Sequence, residues 1–147
     1  MQTLNIVCPH CNAVNNVQVE VNRKEVLCSS CSDLLNDTSP LECNEESFKI
    51  HLEKNDIPVL VDFYSPDCAP CMKMQPDFEA AAKSCELEVR FLKVNTLDYP
   101  DLARQYGVNS LPTVIAFNKS IEMNRFSNAL SKDQLSMWAE SLIQVAL

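Results

Sequence analysis

The sequence predicts an α/β domain of about 100 residues, a mixed sheet with helices on both faces, preceded by a small cysteine-rich module. Three observations carry this. From residue 45 onward, apolar runs of strand length alternate with amphipathic segments of helix length. Residues 1–32 hold four of the eight cysteines but few core residues. The chain of 147 residues is 46% hydrophobic and 22% charged, a globular balance that excludes wholesale disorder.

The elements follow in order. In residues 1–32, Val14, Val17, Val19 and Val21 alternate with polar residues as in a short strand. Val26 and Leu27 are its expected return partner, with Asn22, Arg23 and Lys24 in the turn. A unit below ~40 residues usually needs metal or disulfides to hold together. Residues 33–44 read as a connector, and residues 45–147 as the main domain. Glu45 to Asn55 reads as a short helix carrying Phe48, Ile50 and Leu52. Ile57 to Tyr64 is a near-continuous apolar run, suited to a strand buried on both faces. A helix from Cys68 to Ser84, with a kink expected at Pro76, leads to a strand from Val89 to Val94. Tyr99 to Tyr106 reads as a helix stopped by Gly107, the one glycine of the chain. Thr113 to Phe117 and Ile121 to Phe126 are close enough to form a hairpin. Ser131 opens a last helix to about Val145, with Leu135, Trp138, Leu142 and Val145 on one face.

Twelve basic and twenty acidic residues give a net charge of −8. Such a surface repels phosphate backbones, so nucleic acid is not an expected partner. No apolar run approaches the ~18–20 residues that span a bilayer, so no membrane association is expected. Met1 to Val7 has no basic residue, so a cleaved secretory signal is not expected either. Eight cysteines without a signal suggest a reducing, cytoplasmic compartment in which thiols bind metal or do redox chemistry.

Cys8-Pro9-His10-Cys11, sixteen residues, then Cys28-Ser29-Ser30-Cys31 has the spacing of a zinc ribbon. Two residues between cysteines let both sulfurs of one turn face a common point, and two such turns complete a tetrahedral cage. A closed cage makes one structural Zn²⁺. Two disulfides, free thiols or an iron–sulfur cluster are the alternatives for this set. His10 sits between two ligands and is read as lying outside the cage.

The segment Val61-Asp62-Phe63-Tyr64-Ser65-Pro66-Asp67-Cys68-Ala69-Pro70-Cys71 holds a third Cys-x-x-Cys pair where a buried strand gives way to a helix. A helix N-terminus favours a thiolate. Cys68 is therefore expected to be the exposed nucleophile, and Cys71 the shielded thiol that resolves a mixed disulfide. Pro70 suits an early helical position.

Here the chain resembles the thioredoxin family, whose V-D-F-W-A-x-W-C-G-P-C matches VDFYSPDCAPC. The resemblance spans about residues 45–147, through Lys93-Val94-Asn95, Tyr106 to Thr113 and Ala129-Leu130-Ser131-Lys132. With the four-cysteine module in front, it looks like the thioredoxin 2 subgroup of bacteria. The resemblance implies a thioredoxin fold and a protein-disulfide reductase. Its substrates would be disulfide-containing proteins, its electron donor of the thioredoxin-reductase type or glutathione-linked, and its working state a monomer. The resemblance also implies that Asp62 is a buried aspartate behind the dithiol, with its pKa raised by burial, relaying the proton of Cys71. Lys93 then pairs with Asp62. Pro112 is the family's cis-proline, where Leu111 and Thr113 dock an extended substrate.

Some residues depart from the family pattern. Asp67 replaces a tryptophan and Ala69 a glycine, while Ser110, Ser120 and Asn128 stand where glycine is usual. Asp67, Ala69, Pro70 and Asn128 are expected at the substrate rim, which is more polar than usual. Cys43 and Cys85 are read as unpaired thiols, Trp138 and Leu142 as core, His51 as a surface residue, and Glu42, Glu45 and Glu46 as a solvated start to the first helix. Two other functions compete with the reductase: a zinc-dependent interaction or holdase module on a redox-inactive scaffold, and a sensor in which oxidation of the N-terminal cysteines ejects zinc.

Overall fold

The structure, a computed structural model, describes residues 2–19 and 25–146. Val21 and the turn expected at Asn22, Arg23 and Lys24 lie outside the described residues, as do the side chains of Val19 and Val145.

Two sheets form. β1 (Gln2–Val7) and β2 (Val14–Val19) make an antiparallel ribbon, from Gln2 opposite Val19 to Val7 opposite Val14. The partner of β2 is thus the N-terminal segment and not Val26 and Leu27. Leu27 instead makes a single bridge to Leu34. The reason is burial: Ile6 and Val7 are fully buried, whereas Leu27 is exposed.

The main sheet has five strands in the order β3-β5-β4-β6-β7: β3 (Leu41–Glu42), β4 (Val59–Tyr64), β5 (Arg90–Asn95), β6 (Thr113–Asn118) and β7 (Ile121–Phe126). β3 and β4 run parallel to β5, and β6 runs antiparallel to β4 and β7. The apolar run of β4 is explained by its central place, with every residue buried. Residues 33–44 are more than a connector: Leu35 is fully buried and Leu41–Glu42 adds the edge strand.

Four helices cover the faces: α1 (Glu45–Lys54), α2 (Ala69–Lys83), α3 (Pro100–Gln105) and α4 (Lys132–Ala146). Alternation along the strands sorts the core. Leu60, Phe91 and Ala116 meet Met74 and Phe78 of α2 and Leu135, Trp138 and Leu142 of α4. Val61, Phe63, Leu92 and Ile115 meet Phe48 and Leu52 of α1 and Leu102 of α3. Asp62 and Lys93 share the parity of Leu60 and Phe91, so both point to the α2 side.

Local chemistry sets the ends. Asn44 and Ser47 form a reciprocal capping box on α1. α2 runs on through Pro76. Gly107 ends the α3 segment at φ +65°, a conformation glycine adopts without steric cost. The β6–β7 turn places Lys119 (φ 49°) and Ser120 (φ 69°) in the left-handed region, the geometry of the tight hairpin turn that glycine and asparagine usually occupy.

His51 is not a surface residue. It is fully buried on α1, its Nδ1 3.0 Å from Asn55 Nδ2. The module packs over this helix end: Asn55 Oδ1 accepts the Val7 N–H at 2.7 Å, and Asn5 and Asp56 exchange backbone and side-chain bonds. A surface reading failed because the covering layer comes from residues nearly fifty positions away.

Candidate active site and metal centre

β4 leads through residues 65–67 into α2, and the turn puts Cys68 at the N-cap with φ −94° and ψ 108°. Its Sγ accepts the Cys71 N–H at 3.2 Å, so an otherwise unpaired helix donor points at the sulfur. Cys68 and Cys71 are joined by a disulfide, with Cα atoms 5.2 Å apart. Cys68 is partly accessible and Cys71 fully buried. That asymmetry is what an attacking and a resolving thiol require.

The rim follows from the register. Phe63 pairs with Thr113, so Pro112, one residue earlier, sits beside the end of β4 where the chain turns towards Cys68. The Leu111–Pro112 bond is cis. Thr113 is buried and its hydroxyl donates to the Ser110 carbonyl at 2.7 Å, tying down the loop before the proline. The Leu130 N–H contacts Met74 Sδ at 3.4 Å and ties Leu130 to α2, two residues after Asn128. Asp67, Ala69, Pro70 and Asn128 are exposed, and Leu111 is partly so.

Asp62 is fully buried, and neither carboxyl oxygen has a hydrogen-bond partner. Desolvation pushes its pKa up to about 7; Lys93 opposes the rise and Glu42 adds to it. Lys93 lies opposite Asp62 in the sheet register, but the ion pair it makes is with Glu42, Nζ to Oε1 at 4.0 Å. Its ammonium also sits 4.7 Å from the centre of the Tyr64 ring. The Tyr64 hydroxyl donates to Glu42. Glu42 is therefore a strand residue engaged with Lys93 and Tyr64, not part of a solvated helix start. Glu45 and Glu46 are exposed in the first turn of α1 as expected. Sequence reading missed Glu42 and Tyr64; the contact depends on a two-residue strand too short to carry a periodic signal.

At the other end, Cys8, Cys11, Cys28 and Cys31 bring their Sγ atoms within 4.8 Å of one another. The two Cys-x-x-Cys segments fold alike. Cys8 N–H donates to Ala13 O and Asn12 N–H to Cys8 O; Cys28 N–H donates to Asp33 O and Ser32 N–H to Cys28 O. Asn12 and Ser32, at equivalent places, have φ of 66° and 68°. The donor set fits a metal ion. Sulfur pairs Cys8–Cys31 and Cys11–Cys28 are 3.7 and 3.6 Å apart. The edge of a tetrahedron with ~2.3 Å metal–sulfur bonds is about 3.8 Å. His10 N–H points at Cys8 Sγ, and Ser30 N–H and Asn15 Nδ2 at Cys28 Sγ, all at 3.3–3.4 Å, as suits negatively charged sulfurs. The His10 ring lies outside the cage, 3.1 Å from Asp37. Buried Asn15 also accepts from the Ser29 N–H and hydroxyl, and its Nδ2 donates at 3.3 Å to the Ala13 carbonyl that takes the Cys8 N–H, so one amide spans both cysteine turns. Cys43 and Cys85 are free, buried thiols.

Comparisons with known proteins agree with this geometry. The family described as Thioredoxin matches residues 39–141. Thioredoxin C-3 of Corynebacterium nephridii is 35% identical over 139 residues, covering 95% of both chains. Thioredoxin of Porphyra purpurea is 36% identical over 94 residues, 64% of this chain and 88% of its own. Among solved structures, a mutant thioredoxin from Halobacterium salinarum superposes with a TM-score of 0.67 at 26% identity, covering 72% of this chain and 92% of that one. A buried strand feeding a helix-tip dithiol, a cis-proline beside it and relatives along nearly the whole sequence lead to one conclusion: the chain belongs to the thioredoxin family of thiol–disulfide oxidoreductases.

Proposed function

We propose that the chain reduces protein disulfides through Cys68 and Cys71 and carries one structural Zn²⁺ in its four-cysteine module. The observation that carries the reading is the helix-tip pair, one sulfur accessible and one buried. The Cys68 thiolate attacks one sulfur of the substrate disulfide, forming a mixed disulfide and expelling the other substrate sulfur as a thiolate. Cys71 then gives its proton to Asp62 and attacks Cys68 Sγ, and the second substrate thiolate leaves. Two electrons pass to the substrate and the pair ends oxidised. An external reductase-type or glutathione-linked donor returns them. A carboxyl with a pKa of about 7 both accepts and releases a proton near neutrality, which supports Asp62 as the base. The cis-proline, Leu111 and Thr113 support docking of an extended substrate there.

Zinc bound by Cys8, Cys11, Cys28 and Cys31 supplies cross-linking and takes no part in turnover. We read residues 1–32 as that module and 45–147 as the redox domain, acting as a monomer in the cytoplasm. The free buried thiols Cys43 and Cys85 support a reducing compartment.

An insulin reduction assay tests the reading. Cys68→Ser abolishes turnover, and Cys71→Ser stops after one event with a trapped mixed disulfide. A wild-type chain that reduces no insulin refutes the reading in favour of a redox-inactive interaction module, and full turnover in Cys68→Ser removes Cys68 as the nucleophile.

A further inference from the structure

Glu42, Lys93 and Asp62 form one row across three adjacent strands: Glu42 lies opposite Lys93, and Lys93 opposite Asp62. In a parallel sheet such neighbours project from the same face. The single ammonium thus stands between two carboxylates, and it is engaged by the outer one. Tyr64 closes the arrangement, donating its hydroxyl to Glu42 while its ring receives the ammonium. Asp62 is left with no polar partner on either oxygen.

We propose that Glu42 is a positioning residue of the disulfide exchange: with Tyr64 it holds the Lys93 ammonium on the β3 side and keeps the Asp62 carboxyl unpaired. The proposal rests on Asp62 serving as the base. An Asp62 paired directly with Lys93 would stay ionised well below neutrality and accept a proton poorly. Held apart, it exchanges protons in the neutral range. Glu42 acts in two ways, by removing the cation and by adding its own negative charge.

The charged and titratable surroundings are few. β4 supplies Asp62 and Tyr64, β5 supplies Lys93 and β3 supplies Glu42. From α2, Cys71 is buried, and Glu79 and Lys83 line an open cleft of about 310 Å³ with Lys93, Thr38, Ser39 and Pro40. Asp98, after β5, acts on Tyr64. The cleft gives Lys93 access to water, and its side chain is 18% exposed, so it is free to lean either way once Glu42 lets go.

The test titrates the Asp62 carboxyl by carbon NMR in the full reduced chain and compares it with the pH profile of insulin reduction. Glu42→Gln keeps the side-chain shape but frees Lys93. The Asp62 midpoint is expected to fall to lower pH, with about tenfold weaker proton affinity, and the activity limb to follow it. In a Lys93→Met background the same Glu42→Gln change is expected to move the midpoint much less, since its main intermediary is gone. Glu42 is half exposed, so the fold tolerates the change, and Glu42→Ala gives the same readout if glutamine perturbs it. An Asp62 midpoint unchanged in both variants overturns the proposal. An activity limb that stays put while the midpoint falls, and that persists in Asp62→Asn, overturns instead the assignment of Asp62 as the base, and Glu42's part in the reaction with it.

Discussion

Arg90, the first residue of β5, donates from Nη2 to the carbonyl of Val7 at 3.2 Å, directly before the first residue of the four-cysteine cluster. The same guanidinium reaches the carbonyls of Leu35 and Asp37 at 3.3 and 3.2 Å. One buried cation thus bonds the N-terminal ribbon, the following segment and the central sheet.

Arg90→Met leaves these three acceptors without their donor. We expect a loss of about 2–4 kcal/mol in urea unfolding. Amide exchange in β1 and β2 rises before that in β4 and β6. An unchanged unfolding midpoint contradicts the role.

Asp62 gives a pH dependence with a definite sign. Its carboxyl keeps a proton up to about pH 7 when folded and loses it near 3.8 when unfolded. Between these values the native state holds more protons, so its contribution to stability is fully present at low pH and is lost as pH rises from about 4 to 7. The integrated loss is on the order of 4 kcal/mol. Denaturant melts of wild type minus Asp62→Asn across this range are expected to show that decline. A difference that grows with pH contradicts it.

The four-cysteine cluster makes a separate prediction. Titration of the reduced chain with Co²⁺ gives one equivalent with a thiolate-to-metal absorption band, and Zn²⁺ displaces it. Asn15→Ala removes the amide that spans the two cysteine turns and weakens metal binding by about 10–100-fold in chelator competition. Equal affinity in the variant removes Asn15 from the site.

Asp67 bears on the nucleophile. A carboxylate next to Cys68 in the chain disfavours a second negative charge there, so Asp67→Trp makes the reduced Cys68 thiol easier to deprotonate. Thiolate ultraviolet absorbance followed against pH measures it. A midpoint unchanged or raised by the substitution rules the effect out.

Most of the chemistry was legible in the residues. The strand Val59–Tyr64 announces itself by six consecutive residues that water must not reach, and the Cys-x-x-Cys pair after it by its position at a helix start. The two N-terminal cysteine pairs likewise state a four-sulfur site, because ligand spacing within one turn is a local property. The β1 strand was missed although Leu4 and Ile6 alternate with Thr3 and Asn5, because so short an alternation does not stand out by itself and the strand is defined by its pairing with β2. His51 was misread because its partners, Asn55 and the overlying module, are assembled only by folding.

Sequence alone therefore marked the three sulfur pairs and their setting along the chain, because ligand spacing, helix starts and strand runs depend on near neighbours. Tertiary structure decided which charges meet. Whether Lys93 serves Asp62 or Glu42, and whether Arg90 is a surface cation or the tie between two sheets, depends on strands brought side by side from distant positions. At such sites the burial that removes water fixes the energy of a charge, and no local pattern records it.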